Sequence, residues 1–210
     1  MDNAKKTKGI IALDADGVLL DYHASYALAW KKAFGVLPAV KDPLAYWPID
    51  RWSVQRVTGD ELERFRQCFN MEFWSTIPAL PGALEACHLL KNAGYNLVCV
   101  SALKQTYRLS RLQNIRDHGF PIDDVVATEH SDADTSPKAK ALSTLKPVAF
   151  VDDYLPYFRG VPANIHMALI IREPNGSPNI GDELNNISSS HSDLMEFANW
   201  WIHRAPDAES

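Results

Sequence analysis

The sequence predicts an α/β fold, a doubly wound parallel sheet of about five to six strands with a small helical unit inserted after the first strand. Three observations predict it. Five short runs rich in Val, Ile, Leu and Ala recur along the chain, and their continuous apolar character, in place of strict alternation, marks strands covered on both faces. Helical patterns separate them. One interval, residues 22 to 80, holds far more chain than a single crossover helix requires.

The first run, IIALDAD (10 to 16), ends in two aspartates, and the long interval follows. In it, SYALAWKKAF places Tyr26, Trp30, Ala33 and Phe34 on one helical face. A second helix, DELERFRQCFNMEFW, opens with Asp60 as N-cap and Glu63 three residues later, and turns Leu62, Phe65, Phe69 and Phe73 inward. Between them VKDPLAYWPIDRWSV, with two prolines and three aromatics, reads as a structured loop. Trp30, Phe65, Phe69 and Phe73 therefore read as core, whereas Tyr46, Trp47 and Trp52 sit on a loop and are open to facing a ligand.

Beyond the interval, PGALEACHLLKNAG forms a helix with Leu84, Cys87 and Leu90 inward and Gly94 as its stop. The strand NLVCVSA (96 to 102) follows, then the helix QTYRLSRLQNIRDHG with Leu112 and Ile115 before Gly119, then the strands DVVATE (124 to 129), VAFVDD (148 to 153) and IHMALII (165 to 171). Residues 173 to 190, rich in Gly, Pro, Ser and Asn, read as a loop before a last helix that faces Leu194, Phe197, Ala198 and Trp201 inward. The expected division is a core of residues 1–21 and 81–210 with a helical unit over 22–80.

Composition narrows the function. With 21 basic and 26 acidic side chains the net charge is -5, which argues against a nucleic-acid or anionic-membrane binder. Cys68, Cys87 and Cys99 have no metal-ligand spacing and lie in apolar or helical contexts, so they read as reduced packing residues in a cytoplasmic protein. The basic N-terminus meets Asp14 after only four apolar residues, and no signal peptide or membrane span is expected.

In open α/β sheets ligands bind at the carboxyl ends of strands. Asp14 and Asp16 end the first strand, Ser101 the second, and Asp152 with Asp153 the fourth, so polar groups from three strands converge on one edge. Four converging carboxylates would raise one another's pKa unless a positive charge intervened, and a hard cation such as Mg²⁺ answers that need. In TSPKAKAL, Ser136 and Pro137 make an N-cap and first-turn pair. Lys138 then falls in the first turn, where the helix dipole disfavours a cation by roughly 0.3–1 kcal/mol, as though placed to meet an anion.

Each feature alone has an ordinary reading. DADG by itself suits a solvated loop or a calcium loop, although an EF-hand loop needs Gly sixth and Glu twelfth, and here Gly17 is fourth and Ser25 twelfth. Ser101 alone is a strand-end hydroxyl and Lys138 alone a solvated helix residue. Asp153 also suits the N-cap of YLPYF. His23, His88, His118 and His166 show no ligand spacing, and Glu129 with His130 matches no motif, so these read as structural or surface residues.

Taken in order, the motifs resemble those of the haloacid dehalogenase (HAD) superfamily: DADGV the first, Ser101 in VCVSA the second, Lys138 in SPKAKAL the third and FVDD the fourth, over residues 10 to 171. The resemblance implies a Rossmann-like core and an Mg²⁺-dependent phosphatase acting on a small phosphorylated metabolite. Asp14 would be the nucleophile forming an aspartyl-phosphate, and Asp16 would protonate the leaving group and then activate water. Ser101, Lys138 and the Ala102 backbone N–H would hold phosphoryl oxygens. The metal would be bound by the Asp14 carboxylate, the Asp16 main-chain carbonyl and the Asp152–Asp153 pair, Asp153 more directly. An aspartate at position 16 resembles the phosphatase and phosphomutase branches, not the dehalogenases. The 22–80 unit falls where a substrate-selecting helical cap is inserted. A phosphomutase on a sugar phosphate, or a protein that binds a phospho-ligand or protein partner with little turnover, remain alternatives.

Overall fold

The computed structural model describes residues 7–129 and 134–204. Its six-stranded, all-parallel sheet is built from β1 (Ile10–Leu13), β2 (Asn96–Ser101), β3 (Val125–Ala127), β4 (Ala149–Asp152), β5 (His166–Ile170) and β6 (Ser189–His191), in the order β3-β2-β1-β4-β5-β6. The chain order reverses at β1, which lies between β2 and β4, and such a switch point opens a crevice at the carboxyl edge. In register, Leu13 of β1 pairs with Cys99 of β2 and Val151 of β4, so the three strands end nearly level there.

Burial on both faces explains the apolar runs. Ile11, Leu13, Cys99 and Val151 enter one buried cluster with residues of α5 (Ala83–Asn92), α6 (Arg108–Asp117) and α8 (Leu194–His203). Their neighbours Ala12, Val100 and Phe150 enter a second cluster with Leu142 of α7 (Ala139–Leu145), Leu155 and Phe158. Successive strand residues thus face opposite layers. Cys68, Cys87 and Cys99 are all free and buried. Among the described residues no helix is long and apolar enough to cross a membrane.

Between β1 and α5 lie α1 (Tyr22–Phe34), α2 (Pro48–Arg51), α3 (Gly59–Arg66) and α4 (Met71–Ser75). The chain leaves and re-enters the sheet region side by side: Leu20 bridges Ala79, and the Asp21 N–H donates to the Pro78 carbonyl at 2.8 Å. Asp21 also caps α1, its carboxylate accepting from the Ala24 N–H, and Gly35 closes that helix in a left-handed conformation.

Three expectations need correction. The single helix expected from Asp60 is two helices, α3 starting at Gly59 after Thr58, and α4 starting after Asn70, whose side chain accepts from the Phe73 N–H at 3.2 Å. Asn is a better cap than helix-interior residue, so it restarts the helix there. The aromatic stripe survives the break, with ring centroids of Phe65 and Phe69 5.0 Å apart and of Phe69 and Phe73 4.7 Å apart. Residues 173 to 190 are not loop throughout, because a short helical turn at Asp182–Asn186 leads into β6, which begins at Ser189. Lastly, β1 stops at Leu13, so Asp14 and Asp16 lie just beyond the strand, and Ser101 and Asp152 are the terminal residues of theirs.

Candidate active site

The crevice beside β1 gathers the predicted side chains. After Leu13, the Asp14 N–H still bonds the Val151 carbonyl at 2.9 Å, and the chain then coils tightly, the N–H groups of Leu19 and Leu20 both bonding the Ala15 carbonyl. Gly17 sits in this coil at φ 90°, and a Cβ there would come within 2.0 Å of Asp153 Oδ2. The glycine lets the carboxylate of one strand end lie against the backbone of another.

Asp14, Asp152 and Asp153 each offer an oxygen lying within 4.8 Å of the others. Lys138, buried completely, donates from Nζ to Asp14 Oδ1 at 2.5 Å and to Asp152 Oδ2 at 2.6 Å, with the Tyr157 ring 4.6 Å away. Burial alone would lower the pKa of this ammonium, but Asp14 and Asp152 hold it above the ordinary range. It stands at the cap of α7, one step before the expected first turn, with its own N–H donating to Ser136 Oγ at 3.1 Å. Two carboxylates offset the unfavourable helix end.

Asp152 has a donor on each oxygen: Lys138 Nζ bonds Oδ2, and the Tyr154 N–H donates to Oδ1 at 3.0 Å. Asp152, not Asp153, therefore meets the start of the LPYF turn, whose cap position is Tyr154. Asp153 has its carboxyl pushed well above the usual range, by burial first and then by repulsion from Asp152 and Asp14. The all-oxygen set of Asp14, Asp152 and Asp153 suits a hard divalent cation, and Asp153 is the carboxylate that most needs one. Its main-chain carbonyl accepts from Asn179 Nδ2 at 2.7 Å, so the 173–190 segment helps support the site.

Asp16 stands apart from the carboxylate cluster and pairs with a residue that motif reading missed. Arg111 on α6 is fully buried, and its Nη2 donates to both Asp16 oxygens at 2.8 Å. Burial raises the Asp16 pKa, with Arg111 pulling against it. The sequence carries a signal for its burial only, since Arg111 shares a helical stripe with Leu112 and Ile115, while its partner Asp16 lies 95 residues away along the chain. Ser101 is buried at the end of β2, and Ala102 follows it on the cleft wall.

The cleft above these groups has a volume of about 320 Å³. Its floor includes Asp14, Asp16, Ser101, Ala102 and Asp153, and the helical segment adds Tyr22, His23, Tyr46, Trp47, Pro48 and Trp74. Of the three loop aromatics, Tyr46 and Trp47 face the cleft, whereas the Trp52 indole donates to the His23 carbonyl at 3.1 Å. His23 thus lies on the cleft wall. Burial, with Arg51 and Arg172 nearby, lowers its pKa to about 4, leaving a neutral ring. His118 and His166 serve structural contacts with the Ile77 carbonyl and Ser189 Oγ. Glu129 accepts from the Gln105 N–H, and His130 lies outside the described residues.

The chain matches no family model, and no curated protein is similar to it in sequence. Solved structures share its fold. A HAD family hydrolase from Deinococcus radiodurans R1, with bound phosphate and sodium, superposes with a TM-score of 0.62 at 15% identity, covering 92% of this chain and 95% of that one. A predicted phosphoglycolate phosphatase from Haemophilus somnus 129PT gives 0.61 at 15% identity, over 90% and 96%. A protein assigned as a β-phosphoglucomutase from Thermotoga maritima gives 0.56 at 17% identity, over 91% and 97%.

Proposed function

We propose that this chain, which has the fold of the HAD hydrolases, is a phosphatase that removes phosphate from a small phosphorylated metabolite through an aspartyl-phosphate on Asp14. One observation carries the reading: Asp14, Asp152 and Asp153 bring oxygens within 4.8 Å of one another, with the buried Lys138 ammonium on two of the three. Asp14 attacks phosphorus, and the ester P–O bond breaks as the new Asp14 Oδ–P bond forms. Asp16, held in place by Arg111, acts as the acid that gives a proton to the departing oxygen. Water then attacks the same phosphorus, passes a proton to Asp16 and releases phosphate, restoring Asp14. Lys138, Ser101 and the Ala102 N–H hold the phosphoryl oxygens while charge develops on them. Asp14, Asp153 and Asp152, with the Asp16 carbonyl, would hold Mg²⁺, which when bound neutralises phosphoryl charge.

The 22–80 segment acts as the cap, supported by its contribution of Tyr22, His23, Tyr46, Trp47, Pro48 and Trp74 to the cleft lining. Free, buried thiols support a reducing, cytoplasmic setting. The test is phosphate release from a panel of phosphomonoesters with Mg²⁺ or with chelator. Wild type should require the metal, and Asp14→Asn should lose at least a thousand-fold in kcat/KM, the scale of a lost nucleophile. Full activity in the variant, or isomerised sugar phosphate without free phosphate, overturns the hydrolase reading.

A further inference from the structure

Resting on the phosphatase reading, we infer that the alcohol leaving group is a planar aromatic or heteroaromatic ring, seated against the aromatic lining of the cleft. Six rings line that space beside the carboxylates: Tyr22, Tyr46, Trp47, Trp74, Tyr154 and Tyr157. They form two groups. Tyr46 contacts Trp47 edge-on at 5.0 Å and stacks with Tyr154 at 6.4 Å, and Tyr154 meets Tyr157 at 4.7 Å. Trp74 stacks with Tyr22 at 6.3 Å and lies 5.1 Å from the Arg111 guanidinium, the same group that holds Asp16.

These rings are fixed before any ligand arrives, so a flat ligand would immobilise few side chains on binding. The backbone that carries the first group is also bonded to the 173–190 segment. The Tyr46 N–H donates to the Asn175 carbonyl and the Asn175 N–H to the Leu44 carbonyl, each at 3.0 Å. Trp47 meanwhile leaves 42% of its surface exposed on the cleft wall, an apolar face with a polar catalytic floor beside it.

The polar lining is compatible with such a ring. Among the described lining residues, the carboxylates are those of Asp14, Asp16 and Asp153, which are committed to the phosphoryl end, and no carboxamide lines the space. His23, Arg172 and the hydroxyls of the four tyrosines remain, and those hydroxyls stand at the ring edges, where they suit polar atoms on the rim of a flat ligand.

Benzyl phosphate and cyclohexylmethyl phosphate test this directly, since their leaving alcohols are similar in size and differ chiefly in flatness, and any difference in their acidity cancels when the ratio is compared between wild type and variants. With Mg²⁺, kcat/KM for benzyl phosphate should exceed that for cyclohexylmethyl phosphate and for a hexose phosphate by about ten-fold or more, the scale of one or two aromatic contacts. Trp47→Leu and Trp74→Leu, which keep apolar bulk, should each reduce the benzyl-to-cyclohexylmethyl ratio by about three-fold or more. A ratio near one in wild type, a preference for the hexose phosphate, or an unchanged ratio in both variants overturns the aromatic leaving group while leaving the phosphatase intact. No turnover of any ester overturns both.

Discussion

Arg111 and His23 show how individual residues depart from what their neighbours in sequence suggest. Arg111 stands in a run of charged helix residues, yet it alone of the run's arginines is fully buried, and its guanidinium is matched by Asp16. Removing one member of such a pair leaves the other uncompensated, so the two act as a unit. His23 follows a linkage logic of its own. Its folded pKa of about 4 lies below the ordinary 6.5, so the unfolded chain binds the extra proton between those values. The stability tied to a neutral His23 is therefore fully present above about pH 6.5 and is lost as pH falls toward 4. Denaturant midpoints should show wild type losing about 2 kcal/mol more than His23→Gln between pH 7 and pH 5. Equal losses would mean that the ring is not held neutral.

At the scale of elements, the coil after β1 decides the site's geometry. Its hydrogen bonds from Leu19 and Leu20 to the Ala15 carbonyl turn the chain back, and Gly17 gives Asp153 the space to approach. Gly17→Ala should cost on the order of 1–3 kcal/mol for the positive φ alone. Displacement of Asp153 should also raise the Mg²⁺ concentration for half-maximal activity at least several-fold, read from metal titrations beside a denaturation curve. A wild-type metal response would show that Asp153 is not a ligand. The DADG pattern made the glycine visible, but not its partner, because Asp153 is more than a hundred residues away along the chain. The split between α3 and α4 and the short β6 escaped periodicity for local reasons. Asn70 caps a helix inside an apolar stripe, and β6 is a polar edge strand of Ser189, Ser190 and His191 with β5 as its one partner in the sheet.

Across the whole molecule, sheet and helical segment share one buried cluster, running from Leu13 of β1 to Trp30, Phe65 and Phe73 of α1, α3 and α4. Carboxylates at one edge of that body resist burial together, and a cation binding only the folded site should offset the repulsion. Thermal melts at constant ionic strength should therefore show Mg²⁺ raising stability, by about 2.7 kcal/mol at a hundred times its Kd, with most of the gain lost in Asp153→Asn. A melting temperature indifferent to Mg²⁺ would remove the metal from this site.

The sequence by itself determined the parallel α/β fold and the candidate residues Asp14, Asp16, Ser101, Asp152 and Asp153 at the ends of apolar runs and Lys138 at a helix start, because apolar runs and helix-start and turn signals are local. Only the tertiary structure decided which carboxylates Lys138 joins, that Arg111 rather than a metal ligand holds Asp16, and which aromatics face the cleft. Those are pairings between distant segments, settled by how buried charges find partners and how rings pack once the layers close, and no local pattern carries them.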